Sequence, residues 1–230
     1  MRMTDVSRLY EARFKTTGLE KRNKVWQVLC SAYFQKCIPE TSTVLDLACG
    51  YGEFINNIKA AKKYGIDLNP DAPSHLLSEV TFHRIVATDL SVIPANSIDV
   101  VFTSNFLEHL RTKEECDVVM AQVKSVLRPG GKFIVMGPNI RYAYAEYWDY
   151  YDHYLALSHL SLAEGLTNAG FDIEQVIPRF LPYTMNNRTP AHPALIHAYL
   201  ALPLAWKILG KQFLVTARKP ELGKQEPARL

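Results

Sequence analysis

The chain has 230 residues, 48% of them hydrophobic, which suits one α/β domain with a substantial core. A formal net charge of only +3, with no basic run interleaved with stacking aromatics, excludes a nucleic-acid track, so no nucleic acid is expected among its partners. The four cysteines, Cys30, Cys37, Cys49 and Cys116, lack Cys-x-x-Cys spacing; this argues against a disulfide framework or zinc cluster and for a reducing, cytoplasmic compartment.

Residues 1–20 read as a lid-like segment with Tyr10 and Phe14 as anchors, and its scattered charges (Arg2, Asp5, Arg8, Glu11) give no signal-peptide pattern. Residues 21–37 read as a helix, because Val25, Val28, Leu29 and Ala32 share a face; Pro39 ends it. The stretch from Thr43 to Glu53 is the most informative. Val44, Leu45 and Leu47 fit a strand buried on both faces, and Asp46 among them needs a polar partner. Ala48, Gly50 and Gly52 allow a tight turn and close approach of a ligand to the main chain. Glu53 is expected in the first turn of a following helix, where a dinucleotide binder keeps room for pyrophosphate. Acids at 46 and 53 favour a ligand with a cationic end, as S-adenosylmethionine has. The alternative for Glu53 is a plain first-turn acid, worth about 0.3–1 kcal/mol to its helix.

Tyr64 to Asp67 reads as a second strand. Asp67, 21 positions after Asp46, is placed to bind ribose hydroxyls, or else it forms the turn before Asn69-Pro70-Asp71. Thr81 to Ala87 reads as a third strand, followed by Asp89, either a partner for an adenine amino group or a loop acid. Ile98 to Thr103 is a fourth strand, and the loop Ser104 to Leu110 after it faces the transferable group. A helix and the sharp turn at Pro129-Gly130-Gly131 lead into a fifth strand. If the aromatic stretch Arg141 to Tyr154 is helical, Asp149 and His153 share a face at i, i+4. Ser161 to Glu164 resembles a capping box and opens a helix that ends near Gly170. Phe171 to Ile177 is a sixth strand and Gln212 to Ala217 a seventh. The apolar stretch Ala194 to Gly210 carries His197, Pro203 and Lys207 and is too short to span a membrane. It packs on the core, or it forms a lid or interfacial helix capable of transient membrane-surface contact.

Taken together, Asp46 to Gly52, Asp67, Asp89, the Glu-His-Leu of Asn105 to Leu110 and Arg128-Pro129-Gly130-Gly131 resemble the class I S-adenosylmethionine-dependent methyltransferases, over residues 40–140 closely and to about 218 in outline. The resemblance implies an α/β Rossmann-like sheet of seven mostly parallel strands, helices on both faces, and an antiparallel last strand inserted between the fifth and sixth. It divides the chain into an N-terminal helical or lid segment (1–40), a methyltransferase domain (41–218) whose insert at 178–211 lies over the active site, and a disordered tail (219–230). It implies S-adenosyl-L-methionine as cofactor and S-adenosyl-L-homocysteine as product. The cofactor positions carried over are Asp46, Ala48, Gly50, Gly52, Asp67, Leu68, Asp89, Leu90, Ser104 and Asn105. Some relatives hold a metal through Glu-x-x-Glu-His at the fourth-strand loop; Asn105 stands at the first position here, so no metal is expected, and Asn105 is free to hold an acceptor hydroxyl.

Methyl transfer requires an acceptor held in line and shielded from water, and an alcohol acceptor also needs a base. The Asp149–His153 pair is the first candidate; His109 and His159 follow. Tyr and Trp near the mouth suit stacking on sugar rings, and Arg141, Arg179 and Arg188 suit an anionic group. The fourth-strand loop lacks the Asn-Pro-Pro-Tyr pattern of relatives acting on planar nitrogens. The expectation is O-methylation of a small hydroxylated acceptor: a sugar, glycan precursor or secondary metabolite. The alternatives are a non-catalytic adenosylmethionine-binding protein and an NAD-dependent oxidoreductase, the latter disfavoured by Glu53 and the missing third glycine.

Overall fold

A computed structural model describes residues 16–183 and 192–221. Tyr10, Phe14 and Arg188 therefore lie outside the described residues, as do most of the lid-like segment and of the tail. Seven strands form one sheet in the order β3-β2-β1-β4-β5-β7-β6: β1 (Thr43–Leu47), β2 (Lys62–Ile66), β3 (Val80–His83), β4 (Ile98–Ser104), β5 (Leu127–Pro138), β6 (Asp172–Ile177) and β7 (Gln212–Arg218). β7 runs antiparallel to both of its neighbours, and the other pairings are parallel. This is the expected sheet, including the inserted last strand. The helices are α1 (Thr16–Leu29), α2 (Lys113–Val126), α3 (Ile140–Tyr147), α4 (His159–Asn168), α5 (Pro193–Ala201) and α6 (Pro203–Leu209).

The two-residue alternation of strand side chains divides the core into two layers. Leu45, Leu47, Val101, Phe133, Val135 and Val215 face α2 and α4, meeting Val119, Val123, Leu162 and Leu166. Val44, Phe102, Ile134, Met136 and Leu214 face the other way, towards Val28, Leu29 and Phe34, with Leu200 of α5 in the same cluster. The N-terminal helix continues past Leu29 through a π-helical turn (Cys30–Phe34) to Cys37, and that turn buries both Cys30 and Phe34. Phe102 is central to this layer: its ring stacks on Phe54 at 3.8 Å and meets Phe34 at 5.1 Å and Trp26 at 5.9 Å edge-on.

Four local expectations need correction. Residues 51–58 form turns instead of a regular helix. Backbone bonds run from Asn56 to Gly52 and from Ile58 to Phe54, but the asparagine side chains bind elsewhere: Asn56 bridges His75 O and Leu77 N, and Asn57 donates to Asn23 and to Glu53 O. Such competition for backbone groups is why asparagine disfavours helix interiors. The third strand ends at His83, as an edge strand paired only with β2; Arg84 then turns its Nε to Leu68 O. The cap of α4 is Ser158, whose hydroxyl accepts from Ser161 N while Ser161 Oγ accepts from Ser158 N, so the capping box lies one turn earlier than read. Finally, α3 stops at Tyr147 and turns follow, so Asp149 and His153 are not on one helical face.

In the 178–211 segment, Leu200 is buried and Ile196, Tyr199 and Trp206 pack partly against the α1 layer, whereas Leu195, Leu202, Leu204, Ile208 and Leu209 are exposed. Among the described residues no helix is long and apolar enough to cross a membrane. Arg179 donates from Nε to Gly210 O and from Nη2 to Ile208 O, and lies over the Tyr142 ring. Those donors close the end of α6, which removes Arg179 from the expected anion grip.

Replacing Phe102, which is fully buried, with alanine deletes a ring shared by α1, β4 and the 51–58 turns. Phe102→Ala is expected to lower unfolding free energy by about 3–5 kcal/mol, measured by urea denaturation.

Candidate active site

The strands of the parallel half of the sheet end at one edge, where such sheets bind ligands. At the end of β1 the chain departs from ordinary backbone at three alternate positions: Ala48 has φ +61°, Gly50 +55° and Gly52 +78°. A side chain at 52 would be strained by this φ, and its Cβ would stand 2.4 Å from Leu76 Cδ2, which would have to shift. Alanine at 48 occupies a left-handed conformation that side chains disfavour, which is the physical reason glycine is commonest there. Two carboxylates flank the turn. Asp67, at the end of β2 and 7% exposed, accepts from Gly50 N and Asn69 N, both at 2.7 Å. Asp46 is buried within β1, and burial, together with the charges of Glu53 and Asp67, holds its carboxyl well above the usual carboxylate range; a backbone hydrogen bond from Ile55 acts the other way.

Glu53 pairs within the protein. Its carboxylate meets Arg22 of α1 at 2.7 Å, tying the turn to the N-terminal helix. Further along the edge, Asp89 is exposed and accepts from Ser91 N at 3.0 Å; its carboxyl lies below the usual range because of hydrogen bonds from the Ser91 side chain and backbone. Leu68 is exposed. Leu90 is committed elsewhere, with its side chain in the core and its N–H on Gln122 Oε1. Ser104 ends β4, and Asn105 follows with φ +49°, its N–H on Met136 O.

After β4, the 107–109 turn meets the irregular segment 148–155. Backbone bonds from Tyr154 N and Leu155 N to Glu108 O clamp the two together. The clamp brings Glu108, His109 and His153 within reach of one another: one side-chain ligand atom from each lies within 4.8 Å of the others. His109 and His153 meet edge-on at 5.0 Å, and Tyr150 stacks on His153 at 4.9 Å. His109 Nδ1 lies 3.0 Å from Asp152 O and 3.2 Å from its carboxylate. Burial disfavours the charged imidazole of His109, but the Asp152 hydrogen bonds and the nearby charges of Glu108 and Asp152 together outweigh it and raise its pKa.

Of the candidate bases, His109 and His153 are thus brought together, but the acid that orients an imidazole is Asp152 and the imidazole is that of His109. Asp149 is exposed while His153 is buried. Asp152 was missed because the helical reading of 141–154 gave it no role; the adjoining Asp152-His153 dipeptide is the only local signal for it. His159 bonds through Nδ1 to the side chain of Asn139 at 2.8 Å, and burial followed by the charge of Arg141 lowers its pKa. Its neighbours place it in the packing of α3 on α4 rather than in the histidine cluster. Arg141 is exposed.

The chemistry of the turn fits S-adenosylmethionine: two buried acids flank a turn whose positions 48, 50 and 52 take left-handed backbone, and a cationic ligand end relieves the repulsion that raises the Asp46 carboxyl. Comparison with known proteins agrees. Among solved structures, the chain is similar to a methyltransferase from Haloferax volcanii complexed with the activator Trm112 (16% identity, 96% of this chain and 100% of that one, TM-score 0.68). It is also similar to an S-adenosylmethionine-dependent methyltransferase from Archaeoglobus fulgidus (20% identity, 92% and 98%, TM-score 0.61). A curated relative, the tRNA (carboxymethyluridine(34)-5-O)-methyltransferase ALKBH8 of Macaca fascicularis, is 27% identical over 103 residues, which are 44% of this chain but only 15% of that protein. The family described as a methyltransferase domain matches residues 19–176, and with that span covering most of the sheet, the chain belongs to this family of S-adenosylmethionine-dependent methyltransferases.

Proposed function

We propose that the chain transfers a methyl group from S-adenosylmethionine to an oxygen of a small hydroxylated acceptor: a sugar, glycan precursor or secondary metabolite. The observation that carries this reading is the cluster of Glu108, His109 and His153 at the carboxyl ends of β4 and β5, which suits removal of a hydroxyl proton beside the transferable group. In this reading Ala48, Gly50 and Gly52 let the main chain approach the cofactor, and Asp46 answers its cationic end. Asp67 takes the ribose hydroxyls and Asp89 with Leu68 the adenine. Ser104 and Asn105 sit between cofactor and acceptor, and the insert 178–211 shields the site. The exposed rings of Tyr144, Trp148 and Tyr151 supply stacking surface for the acceptor. The methyl carbon passes to the acceptor oxygen, the carbon–sulfur electron pair stays on sulfur, and the hydroxyl proton is lost at the cluster.

A tRNA acceptor is the second reading, favoured by the likeness to the curated tRNA methyltransferase. Radiolabelled S-adenosylmethionine supplied with fractionated cell extract separates the two: label is expected in small hydroxylated products. Label in tRNA alone sinks the first reading, and failure of S-adenosylhomocysteine to bind at millimolar concentration sinks both.

Asp46 gives a test with a worked sign. Its raised carboxyl pKa means that the folded protein holds a proton the unfolded chain releases. This contribution favours the ligand-free fold at acidic pH and is lost as pH rises from the ordinary carboxylate value through the raised one. Asp46→Asn is therefore expected to raise the melting temperature of the free protein at pH 8, with little change near pH 4. It should also remove most of the stabilisation that S-adenosylmethionine gives, both read by differential scanning fluorimetry.

For Asp67→Ala, at least a tenfold rise in the dissociation constant for S-adenosylhomocysteine is expected by calorimetry, because Gly50 N–H and Asn69 N–H lose their shared acceptor along with the proposed ribose contact.

A further inference from the structure

We propose that Glu108, His109 and His153 bind a divalent first-row transition-metal ion of the zinc or manganese type, and that the acceptor hydroxyl is activated by coordination to it. The metal site stands on the donor atoms alone; its use in the reaction rests on the O-methyltransferase reading above.

The donor set is two imidazoles and one carboxylate, contributed by two segments that meet only in the fold. Glu108 and His153 are 3% and 6% exposed, so an ion here would be held in a shielded pocket, unlike the scattered carboxylates of a protein surface. Three atoms no further apart than 4.8 Å surround a point at most about 2.8 Å from each. Side-chain shifts below about 1 Å thus reach the ~2.0–2.2 Å of zinc–nitrogen and zinc–oxygen bonds. Imidazole donors select against magnesium and calcium, which take oxygen ligands.

Asp152 supplies an independent feature. Its carboxylate and carbonyl both lie on Nδ1 of His109. A proton held at Nδ1 by these acceptors leaves the Nε2 lone pair for a metal, and an imidazole bonded through its other nitrogen to a carboxylate is the arrangement that orients metal-binding histidines. Asn105 does not bear on this set. The expectation of no metal counted ligands within the fourth-strand loop, and the third ligand comes from the segment after α3.

Three protein ligands leave positions open, as in catalytic and not structural sites. A hydroxyl coordinated there loses its proton more readily. The proton goes to solvent, the metal-bound alkoxide oxygen forms the new bond to the methyl carbon, and the sulfur keeps the electron pair of the broken bond. The products are the methyl ether and S-adenosylhomocysteine, and the metal changes neither charge nor oxidation state. Acceptors with two adjacent oxygens, such as vicinal diols and 2-hydroxy acids, fit best because both can bind the ion.

The test uses the full chain, freed of any affinity tag and of metal by chelation and dialysis. It is titrated calorimetrically with zinc chloride, manganese chloride and magnesium chloride. One equivalent of zinc or manganese binding at micromolar or tighter concentration is expected, with magnesium at least a hundredfold weaker. His153→Gln and Glu108→Gln should each weaken binding at least tenfold. Asp152→Asn should weaken zinc binding by about 10–100-fold, and the exposed His197→Gln should leave it unchanged. Retained S-adenosylhomocysteine binding shows that each variant is folded. Should His153→Gln not fold, Asp152→Asn and the wild-type stoichiometry decide. Wild-type protein binding no zinc or manganese, or Asp152→Asn and His153→Gln binding as wild type, overturns the site. Stoichiometric metal with no S-adenosylhomocysteine binding leaves the metal site standing and removes the methyltransfer reading; turnover by metal-free protein leaves the methyltransfer reading standing and overturns activation of the hydroxyl by the metal.

Discussion

The ligand edge of this sheet depends on one side chain, Asp67. Its two oxygens accept from Gly50 N and Asn69 N, so one buried carboxylate fixes the turn after β1 and the turn after β2 relative to each other. An ion-accepted backbone hydrogen bond is stronger than a neutral one, and both donors would otherwise be buried without partners. Thr103 extends the same frame, donating to Leu47 O at 2.7 Å and holding the end of β4 beside that of β1. The cradle and the acceptor side are therefore built on rigid strand ends, although the residues that face a ligand sit in loops.

The two sides of the site are built on opposite electrostatic terms. Around β1 the chain crowds acids: burial and the charges of Glu53 and Asp67 raise the cost of ionising Asp46, and Arg22 pairs with Glu53 alone of the three. Around β4 and β5 it gathers imidazoles against acids that pair with them. The first arrangement is costly until a cation arrives. The second already contains its own compensation. In the proposed reading, that asymmetry separates the side that takes a cationic ligand from the side that takes a hydroxyl.

What could be read in the sequence follows the range of the interactions. The β1 turn and the place of Asp67 were legible because each is set by a short run: apolar strand, small-residue turn, acid at the strand end; the insertion of the last strand followed only from the family resemblance. The 51–58 segment was misread because Asn56 and Asn57 find partners on His75, Leu77 and Asn23, none of them visible to local periodicity. The Asp152–His109 pairing was hidden for the same reason. It needs α3 to stop at Tyr147, a buried tyrosine whose hydroxyl donates to Leu155 O, so that the chain folds back and presents Asp152 to a loop far upstream. Glu53 was identified as an unusual acid, but its partner lies in α1 and could not be named from the turn alone.

The place of β7 has a consequence for the order in which the molecule can be assembled. Among the described residues β6 pairs with no strand but β7, and β7 fills the space between it and β5. During synthesis the β3-β2-β1-β4-β5 sheet can form with β5 as a bare edge, while β6 waits without a neighbour until residues 212–218 emerge. That interval exposes Ile134 and Met136 of β5 beside unpaired main chain, a combination that invites pairing between chains. The latest of the described strands is therefore the one that closes the sheet, and a chain stalled just before it would be the form most prone to associate with its own copies.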